Sequence, residues 1–211
     1  RPRRWMSILV LDTFRPQFLE ALAQLGKPIH NLAEAPLAEQ QAAAQDAEVL
    51  VIKSKPAIDA GFIEAAPRLQ LVVRAGSGAE HVDRRALQAR GIRLVTTPTG
   101  NCDAVGEQAV GMLLALMNHL YRSHSQLAAG QWQREANRGY ELMGRTVGII
   151  GYGHTGTAFA KRLSGFGVRV LAYDKYRTAY SDQWATEASI AQIQQEAEIL
   201  SIHLPLTLET T

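Results

Sequence analysis

Short apolar runs alternate with longer mixed stretches from one end of the chain to the other. "SILVL" (7–11), "EVLVI" (48–52), "LQLVV" (69–73), "IRLV" (92–95), "TVGII" (146–150), "VRVLA" (168–172) and "EILSI" (198–202) are nearly continuous apolar segments. That is the pattern of strands buried on both faces of a parallel sheet. Between them the spacing predicts helices over 15–25, 59–65 and 83–89, with Gly26 and Gly91 placed to end two of them. Strand and helix in strict alternation predict an α/β protein built from doubly wound parallel sheets.

The longest helical pattern is 103–124, where Val105, Ala109, Met112, Leu113, Leu116 and Leu120 recur at spacings of three and four. Val110, Leu114 and Met117 widen the stripe, which predicts a helix covered on more than one side. Asp103 is the expected N-cap, with Glu107 in the first turn near the positive helix end. The turn-forming "TPTGN" (97–101) lies just before it, so a boundary is expected within 97–103, giving one domain over 1–98 and a second over 99–211. "AEQQAAAQDAE" (38–48) is expected to be an exposed helix, and neither a solenoid repeat nor a low-complexity tract is visible.

Composition narrows the class. With 211 residues, 46% of them hydrophobic, the chain can form proper cores without disulfide staples. Lys and Arg number 22 against 20 for Asp and Glu, a net charge of +2, so neither a nucleic-acid nor a membrane partner is expected. No apolar stretch reaches the ~18 to 20 residues of a membrane span, and "RPRRW" at the N-terminus lacks the apolar core of a secretory signal. Met6 opens the first strand-like run, so residues 1–5 are expected to be a leader or an upstream extension. A single cysteine, Cys102, excludes an internal disulfide framework and fits a cytoplasmic location; without a basic neighbour in sequence it is expected to be a buried, inert thiol.

"VGIIGYGHTG" (147–156) carries three glycines spaced G-x-G-x-x-G. Alone such a triplet also serves ordinary turns. Here it follows a strand-like run, opens a helix-like one in which Ala158, Phe159 and Leu163 can face the sheet, and is followed by Asp174, 23 residues after Gly151. In a dinucleotide site Gly151 permits the tight turn, Gly153 the close approach of a pyrophosphate, and Gly156 the packing of helix on strand. Backbone N–H groups near His154 and Thr155 would meet the phosphates with the helix dipole behind them. Asp174 would accept from the adenosine ribose and repel a 2′-phosphate, favouring NAD over NADP, with Lys175 and Arg177 pulling the other way. Two alternatives stay open on these residues: a structural turn with a surface aspartate, and a Rossmann methyltransferase.

Three longer segments decide between them. "RAGSGAEHVDRRALQARGIRLVTTPTGNCDAVGEQAVGMLLAL" (74–116), "GRTVGIIGYGHTGTAFAKRLSGFGVRVLAYD" (144–174) and "LSIHLPLTLETT" (200–211) resemble the D-2-hydroxyacid dehydrogenase family, and within it phosphoglycerate dehydrogenases most. The resemblance implies two doubly wound domains, a flavodoxin-like substrate domain and a Rossmann NAD-binding domain, the latter incomplete here. It also implies NAD as cofactor, a small 2-hydroxy or 2-oxo acid as substrate, a place at the start of serine synthesis, and a homodimer or higher homo-oligomer.

Residue by residue, the resemblance assigns Lys53 and Ser54 of "VIKSK" to the substrate, and Gly76, Ser77 and Gly78 of "RAGSG" to a turn whose amides hold the substrate carboxylate, Ser77 also lying near the nicotinamide. A set of N–H donors suits an anion; a solvated strand-end lysine is the alternative for Lys53. Gly151, Gly153, His154, Thr155, Gly156, Asp174, Leu204 and Pro205 are assigned to the cofactor. His203 of "HLPLT" is not taken as catalytic, because in the family that element lies along the cofactor through its backbone. Trp132 and "QREANRGYEL" match a connection used for packing or dimer contact.

In the family a histidine paired with a glutamate takes the hydroxyl proton and an arginine grips the substrate, and all three lie beyond "HLPLT". No catalytic residue is therefore assigned here. The 211 residues are expected to be about two-thirds of a dehydrogenase, inactive alone, with the fourth Rossmann strand an unpaired edge and a short third strand around 183–187. An NAD-sensing corepressor-like module, and glyoxylate, hydroxypyruvate or lactate as substrate, remain alternatives.

Overall fold

The computed structural model describes residues 7–205, 207 and 209–210. The expected leader, 1–5, and Leu206 of "HLPLT" lie outside the described residues. The chain divides into two compact units, Arg1–Gly100 and Asn101–Thr211.

The first unit alternates without exception: β1 (Ile8–Val10), α1 (Pro16–Ala23), β2 (Ile29–Asn31), α2 (Leu37–Ala44), β3 (Val49–Ile52), α3 (Ala60–Glu64), β4 (Leu71–Arg74), α4 (Arg84–Ala89) and β5 (Arg93–Thr96). Its strands form one parallel sheet in the order β2-β1-β3-β4-β5, the flavodoxin-like arrangement. Both faces are covered. Leu9, Leu50, Ile52 and Val72 pack with Ile58, Phe62, Ile63 and Leu87 on one side, while Ile8, Val10, Val49 and Val51 pack with Phe14, Leu19 and Leu22 on the other. The period-two alternation of the strand is what sends neighbouring residues to opposite cores. The side chains of Asp59 and Asp83 cap α3 and α4 by accepting from Phe62 N (2.8 Å) and Ala86 N (2.9 Å). Segment 38–48 is helical only to Ala44, and it is not exposed throughout: Gln40 donates to the Leu32 carbonyl (2.8 Å), and Ala44, Ala47 and Glu48 are buried.

The second unit contains α5 (Cys102–Met117), α6 (Leu120–Ala128), β6 (Thr146–Ile150), α7 (His154–Leu163), β7 (Arg169–Tyr173), β8 (Thr186–Glu187), α8 (Ile190–Glu196) and β9 (Ile199–Ile202). Its parallel sheet runs β8-β7-β6-β9, so in chain order the third, second, first and fourth strands lie side by side, the Rossmann sequence. The short third strand falls within the expected 183–187, and β9 is an edge of this sheet with Leu200 and Ile202 exposed. Val147, Ile149, Val170 and Ala172 from the strands, Phe159 and Leu163 from α7, and Leu113 from α5 form the core.

The long helix differs from expectation in three ways. It is two helices, because His119 takes a left-handed conformation (φ 50°) between α5 and α6. The apolar stripe is covered in part: Val110, Leu114 and Met117 pack against the core with Leu113, while Met112 and Leu116 stay exposed. Asp103 does not cap the helix either; Asn101 stands at the cap position without a side-chain bond, and Asp103 and Glu107 both reach Arg162 of α7 (3.1 Å each). One guanidinium, anchored by the Ala158 carbonyl (3.0 Å), thus draws two carboxylates across the helix crossing. Cys102, expected to be buried, is half-buried as the first residue of α5.

That crossing is close because α5 has a glycine at it. A Cβ at Gly106 would lie 2.9 Å from the Ala158 carbonyl carbon and oxygen, whereas one at Gly111 would meet nothing within 4 Å. Gly106→Ala is expected to destabilise the second unit by about 1–3 kcal/mol, since backbone must move. Gly111→Ala, by contrast, should stabilise it by up to about 1 kcal/mol through helix propensity. Denaturant unfolding of the two variants checks the contrast.

Candidate functional site

β6 runs into the glycine loop, and the loop runs into α7. Gly151 has φ +93°, and its amide donates to the Tyr173 carbonyl of β7 (2.8 Å), so the turn leaves the strand while still tied to its neighbour. A Cβ at Gly151 would lie 2.6 Å from the His203 carbonyl oxygen, and one at Gly156 only 2.2 Å from the Gly151 carbonyl oxygen. Both contacts are with backbone, which cannot yield. Gly153, the α7 N-cap, is different: a Cβ there meets nothing within 4 Å. Two glycines therefore close the loop on the protein and one leaves its outer side open. The first N–H groups of α7, at His154 and Thr155, have no acceptor within the helix and sit at its positive end beside that opening. A cleft of about 410 Å³ here is lined by Gly153, His154, Thr157 and Arg177. The cradle fits a diphosphate: open backbone, N–H donors and positive charge.

Asp174 follows β7 directly. One carboxylate oxygen accepts from Tyr152 N (2.9 Å), in the middle of the glycine loop, and the other from Tyr176 N (2.9 Å), an Asx-turn that brings the chain back toward the loop. The half-buried carboxylate thus fixes the relative position of the glycine loop and the β7 end, and each oxygen retains a lone pair for a ribose hydroxyl.

Sequence inspection missed the support beneath. The Tyr152 side chain is wholly buried, and its hydroxyl donates to Asp182, 3.0 Å from both oxygens. Burial, reinforced by that carboxylate, raises the Tyr152 phenol well above the ordinary tyrosine range. The Tyr180 hydroxyl donates to the Ala172 carbonyl (3.0 Å) and accepts from Asp174 N (2.8 Å), and burial raises its pKa too. Asp182 also accepts from Trp184 N (2.7 Å) and Ala185 N (3.0 Å), folding the segment after β7 under the loop. The signal was present as "YDKYRTAYSDQ", an unusual density of tyrosine and aspartate straight after a strand.

At the C-terminal end of β9, His203 N donates to the Ile150 carbonyl (2.8 Å), so the "HLP" element lies against the glycine loop, with Leu204 close to Gly151. Pro205 follows, and its carbonyl accepts from the Thr210 hydroxyl (2.6 Å). The His203 imidazole turns elsewhere: Nε2 is 2.9 Å from the Ser201 hydroxyl, the ring centroid is 5.4 Å from that of Phe159, and burial lowers its pKa. Among the described residues no histidine is ion-paired with a carboxylate, and no cluster of His, Cys, Asp and Glu could hold a metal ion.

In the first unit the named residues collect at the C-terminal ends of β3 and β4. Lys53 Nζ donates to the Thr13 carbonyl and stands 4.6 Å from the Phe14 ring centroid, so its stem is held rather than waving in solvent. Ser54 is exposed, and its amide donates to Asp12 (3.0 Å). Asp12, not singled out from sequence, is a buried carboxylate at the end of β1 that also accepts from Thr13 N (2.8 Å) and Lys55 N (3.4 Å). Burial alone would raise its pKa; the backbone donors, Ser54 first, outweigh that and leave it below the usual carboxylate value.

Gly76 (φ +150°) lies under the Arg74 guanidinium, and its amide is taken by the Arg74 carbonyl (3.0 Å). Among the described residues the Ser77 and Gly78 amides make no backbone hydrogen bond, and the Glu80 carboxylate lies against Gly78. Arg74 Nε and His81 Nε2, beside this turn, are buried without a hydrogen-bond partner among the described residues, and burial followed by the Arg74 charge lowers the His81 pKa.

The profile of the family described as "D-isomer specific 2-hydroxyacid dehydrogenase, NAD binding domain" matches residues 110–211. A hydroxypyruvate reductase of Thermotoga maritima is 34% identical over 165 residues, 78% of this chain and 54% of that protein. A D-3-phosphoglycerate dehydrogenase of Mycobacterium leprae is 38% identical over 171 residues, 80% of this chain but 32% of that protein. The chain thus spans about half or less of these relatives' length. Among solved structures, an NAD-dependent formate dehydrogenase of Staphylococcus aureus in complex with NAD superposes with a TM-score of 0.80 at 28% identity, covering 97% of this chain and 67% of that one.

Proposed function

The chain belongs to the D-isomer specific 2-hydroxyacid dehydrogenase family, and on that premise we propose that it supplies the NAD site and part of the substrate site of a dehydrogenase acting on a D-2-hydroxy acid, with 3-phosphoglycerate as substrate. One observation carries the cofactor assignment: Gly156 packs so closely on Gly151 that the first turn of α7 is fixed beside the open side of Gly153, with Asp174 locked to the same loop.

When bound, NAD would supply the hydride acceptor for oxidation at the substrate's C2. The residues of this chain do the holding. The amides of His154 and Thr155 receive the diphosphate, Asp174 accepts from the adenosine ribose, and the backbone around Leu204 and Pro205 lies along the cofactor. The Ser77 and Gly78 amides bind the substrate carboxylate, and Lys53 adds positive charge at the same sheet end, with Ser54 beside it.

Similarity to the Mycobacterium leprae enzyme supports the phosphoglycerate assignment. The Thermotoga maritima relative makes hydroxypyruvate reduction the second candidate. Exposed Leu116, Leu120, Tyr121 and Leu127 on α5 and α6 support a homodimer formed through this surface.

A substrate panel on the protein carrying this sequence tests the assignment. The expected result is a kcat/KM with NAD and D-3-phosphoglycerate at least tenfold above that for D-lactate or D-glycerate. Preference for hydroxypyruvate with NADH would transfer the assignment to the second candidate, and nucleotide binding without turnover on any member would favour a sensing role. The 211 residues alone are expected to bind NADH without turnover, because no histidine–carboxylate pair able to take the hydroxyl proton exists among the described residues.

A further inference from the structure

Where β1 and β3 end, a side chain takes over from the backbone ladder. Val10 still pairs with Val51, and Leu11 N still donates to the Val51 carbonyl (3.0 Å). The next residue, Asp12, then accepts from Ser54 N (3.0 Å) and Lys55 N (3.4 Å) through one carboxylate oxygen and from Thr13 N (2.8 Å) through the other. The strand order reverses between β1 and β3, and the crevice at such a reversal is where open α/β sheets take their ligands. One carboxylate therefore ties together the two loops that flank it.

Asp12 is only 6% exposed, and among the described residues no Lys, Arg or His forms an ion pair with it. A buried charge without a counter-ion is unfavourable unless it is fully hydrogen-bonded, so its use lies in what the three amides hold in place. The return contact comes from Lys53, whose ammonium donates to the Thr13 carbonyl and stands 4.6 Å from the Phe14 ring centroid. Phe14 is itself stacked on Phe18 of α1, with 4.4 Å between centroids. Thr13 is thus gripped from both sides, its N–H by Asp12 and its carbonyl by Lys53. The ammonium spends one of its three donors on this contact and keeps two for a ligand. Resting on the substrate assignment above, we propose that Asp12 is a positioning residue of the substrate site: it touches no substrate, and through Thr13 it sets where the Lys53 ammonium meets the acid.

Steady-state kinetics of the protein carrying this sequence, with NAD and the preferred acid of the panel, test this in Asp12→Asn, Asp12→Ser, Lys53→Ala and the double variant Asp12→Asn/Lys53→Ala. Asparagine and serine each offer one acceptor oxygen in place of two. Each single substitution is expected to raise KM for the acid at least tenfold with kcat within threefold of wild type. NADH affinity should stay within twofold, because the nucleotide site lies in the second unit. On the Lys53→Ala background Asp12→Asn should add less than threefold, since the charge it positions is already gone. Unchanged KM in folded Asp12 variants would overturn the proposal. So would a double variant whose KM is raised by the product of the single effects, which would make the two residues independent. Unfolding of the first unit in both Asp12 variants, followed by circular dichroism, would assign the carboxylate to stability alone and overturn it equally. Each of these leaves the substrate assignment standing, whereas wild-type turnover on no acid of the panel would remove that assignment and the proposal with it.

Discussion

Gly156→Ala is expected to abolish nucleotide binding and to destabilise the second unit by about 2–4 kcal/mol. The added carbon would lie 2.2 Å from the Gly151 carbonyl oxygen and 3.3 Å from Ile149 Cγ2. The turn cannot move away, because the Gly151 amide is bonded to Tyr173 and its α-carbon faces the His203 carbonyl. α7 must instead shift off the sheet, carrying the His154 and Thr155 amides with it. Gly153→Ala separates the two effects. Its added carbon meets no protein atom within 4 Å and its φ of −86° suits alanine, so stability should stay within about 0.5 kcal/mol of wild type. Nucleotide binding should nevertheless weaken at least tenfold, since the open space is the ligand's. Thermal or denaturant unfolding, paired with NADH titration, checks both variants. Equal binding by wild type and Gly153→Ala would show that nothing occupies that space.

Removing the Asp174 carboxylate is expected to have the second largest effect. Asp174→Ala strips the acceptor from Tyr152 N and Tyr176 N at once, at a cost of about 2 kcal/mol with solvent partly compensating. It also removes the ribose contact. NADH affinity should fall about a hundredfold, and Asp174→Asn, which keeps one acceptor oxygen, should fold better than it binds. NADPH affinity should fall far less than NADH affinity, because the same change removes a repulsion from the 2′-phosphate. A uniform loss for both nucleotides would mean that Asp174 acts only by shaping the loop.

The strands were legible because burial on both faces writes them as apolar runs: "VLVI" and "TVGII" are observed at nearly the boundaries their composition suggests. β2 was not, since an edge strand of three residues, "IHN", with two of them exposed, leaves no apolar run. The break between α5 and α6 was hidden because apolar spacing continues through "MNHLY", and neither glycine nor proline marks it. The usable signal was Asn118, whose side chain bonds back to the Leu114 carbonyl (3.2 Å), followed by a histidine, one of the few non-glycine types that enter the left-handed region with any frequency. Asp103 misled for a different reason. Helix-capping rules consider only the chain's own termini, and the partner that won, Arg162, comes from a helix 59 residues away in sequence (162 − 103).

At the site, the glycines and Asp174 stood out because they recur at a fixed spacing, which local geometry demands of Gly151 and Gly156 and the proposed ligand of Gly153. The roles of Tyr152, Tyr180, Asp182 and Arg177 depend on how the segment after β7 folds back beneath the loop, which no spacing rule encodes. The same limit applies in the first unit. A lone aspartate after "ILVL" gives no hint that it will gather three backbone amides from two strand ends.

A crystal structure of the chain grown with NAD tests the central claim most directly. The account predicts the diphosphate within hydrogen-bond distance of the His154 and Thr155 amides, over the open side of Gly153, with Asp174 accepting from the adenosine ribose. A dinucleotide seated elsewhere in saturated crystals, or Asp174 turned away from the ribose, would contradict it.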